Sequence, residues 1–325
     1  MKKFRKDHLQ GVIVSVPTFC DDNFNLLLDR QRTHLRWLIE NGITNGLGVI
    51  LIAGGSGEGY FLDDDEWFRL AEVLVEESQG KVPTMIGVFE TSARRAAEKA
   101  RHASDVGVDY IQMAPPHYMG PSEDEVFEHY RYVNDSSDVG ILCYNIPWAM
   151  PAPAYEFQAT IFDRLATLDN IVGIKWASDN LTHFLQMLRT YHDRFNFIDN
   201  MHFEGVFSHG ARLGMKGSID LDCNVAPRLS LKRMQLLRDN KFQDYDELEL
   251  VSRFDPGLNF PSVQGPMMGE GTSGKMKLKA LGLDAGPVFP TQSQPTESDI
   301  KAVRDVYQNS GFFEWVDWNQ SIFDS

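Results

Sequence analysis

Ile171-Val172-Gly173-Ile174-Lys175-Trp176 decides the fold reading, because it is a short, almost wholly apolar run with one charge near its end. A strand with one wet face alternates apolar and polar residues. A run without that alternation reads as a strand covered on both faces, as in a parallel sheet flanked by helices. Similar runs stand at 12–16, 48–53, 84–88, 110–114, 140–144, 195–199 and 217–220. Between and after them lie amphipathic stretches at 28–40, 63–77, 92–106, 122–133, 155–168, 180–192, 203–213 and 229–240. The acidic run from Asp63 and the hydroxyl of Ser92 suit helix starts, where orphan N–H groups and the positive dipole end gather. Strand and helix repeated eight times predict a closed (β/α)8 TIM barrel over residues 1–240. Beyond it, 255–257 and 269–274 read as glycine-rich loops and 275–283 and 298–308 as helices. Residues 241–325 are therefore expected to form a C-terminal helical region.

Composition narrows the function. The chain has 325 residues, 42% hydrophobic and 24% charged, with a formal net charge of −15. Such a surface repels nucleic acid and anionic membranes, so neither partner is expected. It also means that an acidic substrate needs local positive potential to bind. The three cysteines, Cys20, Cys143 and Cys223, suggest neither a disulfide framework nor a zinc cluster. The basic start has no apolar segment after it, and there is no apolar run long enough to cross a membrane. A reduced, cytoplasmic setting is the expectation.

In TIM barrels chemistry sits where strands end. Lys175 stands near such an end, pointing either into the barrel mouth or toward the helices. Burial would lower its pKa and give a neutral amine able to attack a ketone; the alternative is a lysine that snorkels to water. Tyr144 ends the preceding strand and would neighbour it. Its hydroxyl could shuttle protons to substrate oxygens, or simply be a satisfied buried phenol. Gly54-Gly55-Ser56-Gly57-Glu58-Gly59 follows the second strand, and its amides, with the Ser56 hydroxyl, could cradle a small anion. Its spacing matches neither a Walker loop nor a dinucleotide fingerprint. Asp220 and Asp222 read as a solvated strand-end pair rather than metal ligands, and no metal site is expected.

These pieces coincide with Pro115-Pro116-His117-Tyr118, Tyr144-Asn145-Ile146-Pro147, Gly173-Ile174-Lys175, Gly217-Ser218-Ile219 and Lys279-Ala280-Leu281-Gly282-Leu283. In that order they make the chain, from about Gly11 to about Gly311, resemble the dihydrodipicolinate synthase / N-acetylneuraminate lyase superfamily of class I aldolases. The resemblance implies that Lys175 is the Schiff-base lysine and Tyr144 the proton shuttle. The amides at Gly55 and Ser56 would hold the carboxylate of a 2-oxo acid, and Ile219 would line its site. Tyr118 matches a tyrosine that reaches into a neighbouring subunit's site, which implies a homo-oligomer, commonly a tetramer built as a dimer of dimers.

The departures from the family pattern carry information. Gly55 replaces a usual hydroxyl residue, so a relay from Tyr118 to Tyr144 would be broken or bridged by Ser56 or water. The arginine that binds the second carboxylate in true synthases is Ala149 here, which argues against dihydrodipicolinate synthase activity. Trp148 would present an apolar wall instead. His202 and Glu204, at the exit of the seventh strand, are the candidates for recognising distal hydroxyls; Glu204 could equally favour a helix start.

The expectation is thus a Schiff-base-forming lyase on a 2-oxo acid, releasing pyruvate, with no metal or organic cofactor because the imine is the electron sink. A keto-deoxy sugar acid dehydratase would use the same lysine, and a non-catalytic 2-oxo acid binding protein would keep the pocket without turnover.

Overall fold

The computed structural model describes residues 6–151, 154–178, 180–201, 205–252 and 269–324. Eight strands alternate with eight helices. The strands are β1 (Gly11–Ser15), β2 (Gly48–Ile52), β3 (Thr84–Val88), β4 (Tyr110–Met113), β5 (Gly140–Asn145), β6 (Ile171–Trp176), β7 (Asn196–Asp199) and β8 (Gly217–Asp220). Each pairs in parallel with the next and β8 closes on β1, so the sheet is a TIM barrel. The helices are α1 (Leu28–Glu40), α2 (Asp64–Ser78), α3 (Ala93–Val106), α4 (Glu123–Asn134), α5 (Ala159–Leu165), α6 (Leu181–Tyr191), α7 (Val206–Arg212) and α8 (Pro227–Arg238). Capping boxes start two of them: Asp63 with Glu66 at α2, and Ser122 with Glu125 at α4. Each satisfies two otherwise orphaned N–H groups.

The pleat sorts side chains into two cores. Ile13, Val49, Leu51, Met85, Tyr110, Leu142, Val172, Ile198 and Ile219 fill the barrel interior. Their strand neighbours, such as Val12, Ile50, Ile86, Ile111, Cys143 and Ile174, pack outward against the helices. This is why the strands lack alternation: both faces are covered.

One irregularity aims the site. Between β5 and β6, Ile141 faces Ile171 but Leu142 faces Gly173, so β6 carries one extra residue. Strict alternation would put Ile174 on the same face as Val172 and send Lys175 outward. With the bulge, Val172 points in, Ile174 points out and Lys175 points in again. The bulge needs glycine: a Cβ on Gly173 would lie 2.6 Å from the Asn196 carbonyl oxygen and 2.9 Å from Leu9.

Three sequence expectations change. The stretch 155–168 shortens to α5, because the Phe157 amide donates to the buried Asn145 Oδ1 at 2.9 Å and holds the preceding residues off the helix. An additional helix, α9 (Phe242–Glu249), follows the barrel. Residues 269–274 are not a loop: α10 runs Glu270–Ala280, and α11 (Glu297–Asn309) packs on it. Its early glycines are close-approach residues, since a Cβ on Gly271 would meet Glu58 Cγ at 2.4 Å. The loop expected at 255–257 lies outside the described residues. No described helix is long and apolar enough to cross a membrane.

Candidate active site

Lys175 and Tyr144 are register partners on β6 and β5. Lys175 is 2% exposed, and its ammonium sits 3.9 Å from the centre of the Tyr144 ring. It donates to Gln112 Oε1 on β4 at 3.1 Å. Burial lowers its pKa from 10.5 to about 8, with the Glu270 carboxylate opposing the shift. A fraction of the amine is thus neutral near physiological pH. The buried Tyr144 hydroxyl accepts from Asn200 Nδ2 at 2.9 Å, and burial, with the charge of Glu270 next, raises its pKa well above 10. Tyr144 is therefore a phenol rather than a phenolate, and its hydroxyl keeps a proton that it can donate.

The glycine loop forms the opposite wall. It is bent by hydrogen bonds from the Glu58 amide to the Gly55 carbonyl (3.0 Å) and from the Gly59 amide to the Gly54 carbonyl (3.1 Å). Ala53 turns into it with φ +47, and a Cβ on Gly59 would lie 1.9 Å from the Ala53 oxygen. Among the described residues, none accepts from the Gly55 or Ser56 amide. Glu58 is fully buried in an ion pair with Lys275 of α10 at 2.7 Å. It also accepts from the Phe289 amide (2.7 Å) and Gln292 Nε2 (2.6 Å). This pair fastens α10 across the loop and sets Glu270 against Gly55.

A cavity of about 410 Å³ opens here, lined by Ser56, Asn200, Ile219 and Glu270 among others. Neither Lys175 nor Tyr144 lines it. Asn200, which holds the Tyr144 hydroxyl, and Glu270, whose charge acts on Lys175, connect the cavity to them.

The sequence candidates divide accordingly. Lys175, Tyr144, Gly55, Ser56 and Ile219 belong to the barrel mouth. Tyr118 is 81% exposed in the loop after β4, and Trp148 is 41% exposed on the turn after β5. His202 and Glu204 lie outside the described residues. Asp220 and Asp222 are not a solvated pair. Asp222 is buried and pairs with Arg233 (3.3 Å) and Lys277, which hold its pKa down, while burial, and then Asp222, raise that of Asp220. The cations come from α8 and α10, elements whose packing here no local pattern reveals. Gln112, Asn200 and Glu270 were not anticipated. A lone polar residue in the apolar run 110–114 was the available signal for Gln112.

The Dihydrodipicolinate synthetase family matches residues 8–252. A 4-hydroxy-tetrahydrodipicolinate synthase of Methanothrix thermoacetophila is 29% identical, over 91% of this chain and 95% of its own length. One from Methylobacterium radiotolerans is 30% identical, over 70% of this chain and 73% of its own. Among solved structures, YagE, a prophage protein of E. coli K12 in complex with pyruvate, superposes with a TM-score of 0.81 at 21% identity, covering 93% of this chain and 98% of its own.

Proposed function

Because the chain belongs to the dihydrodipicolinate synthetase family, we propose that it is a Schiff-base-forming lyase that cleaves a 2-oxo acid and releases pyruvate. The observation that carries this reading is Lys175: a buried amine turned into the barrel, with its pKa lowered to about 8 and packed on Tyr144. The substrate carboxylate rests on the Gly55 and Ser56 amides, which offer local positive potential in an acidic protein. Lys175 adds to C2, and Tyr144 returns a proton to the departing oxygen, so water leaves and an iminium forms. The iminium then accepts the electron pair of the C3–C4 bond. Residue 149 is Ala149, which offers no charge to a second carboxylate; pyruvate release is therefore favoured over condensation with an aspartate-derived aldehyde.

Incubation with pyruvate and borohydride should leave a reduced adduct on Lys175, read by mass spectrometry. Lys175→Ala should lose both adduct and turnover; a variant with near-full turnover would end the Schiff-base reading. The exposed Tyr118 and Met119 support an oligomer with that loop at an interface, a tetramer in a cytoplasmic setting. Sedimentation should find a tetramer for the native chain and a smaller species for Tyr118→Ala; a native monomer would refute it.

A further inference from the structure

Gly55 and Glu270 are a fitted pair. A Cβ on Gly55 would lie 1.9 Å from Glu270 Oε2, 2.3 Å from Cδ and 2.6 Å from Oε1. The carboxyl group thus rests on the bare α-carbon of the loop whose Gly55 and Ser56 amides have no acceptor among the described residues. A side chain at position 55 would displace the carboxyl from this place, the end of a flexible side chain giving way. Among the described residues, Glu270 pairs with no cation within 4 Å, unlike Glu58 and Asp222. It lines the cavity, and its charge reaches both Lys175 and Tyr144. A half-buried carboxyl that lines a cavity, with no cation among the described residues to neutralise it, points to a role in chemistry. Resting on the Schiff-base reading above, we propose that Glu270 is the catalytic base that carries the proton on and off C3 of the Lys175-bound substrate.

The steps balance. In cleavage, the carboxylate takes the proton of the C4 hydroxyl, the C3–C4 bond breaks, and its pair becomes the C2=C3 bond. The former C=N pair returns to nitrogen, the aldehyde departs, and a neutral enamine remains. Glu270 then delivers the same proton to C3, and water hydrolyses the pyruvate iminium to free Lys175. No other acid or oxidant is required. Tyr144, held by Asn200, serves the oxygen lost in imine formation, so the two groups have separate tasks. Burial raises the Glu270 pKa and Lys175 opposes it, which brings the group closer to the pH at which it must both accept and donate. A 2-oxo acid iminium is a zwitterion, so its cation offsets the repulsion between its carboxylate and Glu270.

Pyruvate alone tests this. In deuterated water the enamine exchanges the methyl protons of pyruvate, followed by proton NMR, while borohydride trapping on Lys175 reports the imine separately. In Glu270→Gln the adduct should persist and exchange should fall by about 10²-fold or more, the range of a lost acid–base group. A fall of less than about tenfold, with the adduct present, overturns the proposal. If Glu270→Gln loses both signals, Glu270→Asp decides by the same limit: its shortened carboxyl should keep the adduct and slow exchange. Native protein that forms the adduct without exchanging overturns the role of Glu270 alone. Native protein that forms no adduct overturns the Schiff-base reading, and this proposal with it.

Discussion

An amine attacks a carbonyl only after losing its proton, so if Lys175 forms the proposed imine its reactivity should follow pH in a defined direction. With burial holding its pKa near 8, the rate of imine formation with pyruvate should rise about tenfold per pH unit below that value. It should level off above it. The measurement is the initial rate of borohydride-trapped adduct from about pH 6 to 9, bracketing that value; a rise continuing toward pH 10.5 would mean the amine is solvated. Lys175 and Tyr144 were legible in the sequence because each is a polar residue ending an apolar strand. Glu270 was not. It lies within the glycine-rich stretch 269–274 that reads as a loop, and only the tertiary approach of Gly271 to Glu58 and of Gly274 to Ser56 makes that stretch a helix. Asn200 was not legible either: it lies at the exit of the seventh strand, and nothing local says that its amide turns to the Tyr144 hydroxyl.

At the scale of the element, β6 shows what periodicity can and cannot tell. The run at 171–176 identifies a strand, yet it leaves the direction of Lys175 open. The direction depends on one extra residue, which is visible only in the pairing with β5. Gly173→Ala should therefore be severe although it touches no reacting group. Its methyl would meet the Asn196 oxygen at 2.6 Å and Leu9 at 2.9 Å. Relief requires β6 to shift, and the shift moves Lys175 from Tyr144. Loss of stability of about 1–3 kcal/mol in denaturant unfolding, as for overpacking, should accompany loss of the pyruvate adduct. An adduct formed at the native rate would show that the bulge does not hold the lysine. The barrel itself was legible throughout, since eight buried strands and eight amphipathic helices in alternation admit few other arrangements. The start of α5 was not, because a tertiary bond from the Phe157 amide to Asn145 holds the residues before Ala159 off the helix.

Over the whole molecule, the net charge of −15 opposes the approach of a carboxylate. Raising ionic strength from ~0.01 to ~0.15 M shortens the screening length from about 30 to about 8 Å. Imine formation at subsaturating pyruvate should therefore accelerate with salt. A rate that falls would mean that the loop amides and local cations dominate the field even at long range. The C-terminal region has a further consequence, set by the order in which the chain is made. The described groups that satisfy the Glu58 side chain, Lys275, the Phe289 amide and Gln292, all come from after the eighth strand. As the polypeptide leaves the ribosome, the barrel's strands emerge first, with a carboxylate in their midst still waiting for its counter-charge. Glu58 thus lacks these partners until α10 and the residues after it have been made, and the setting of Glu270 against Gly55 is complete only then.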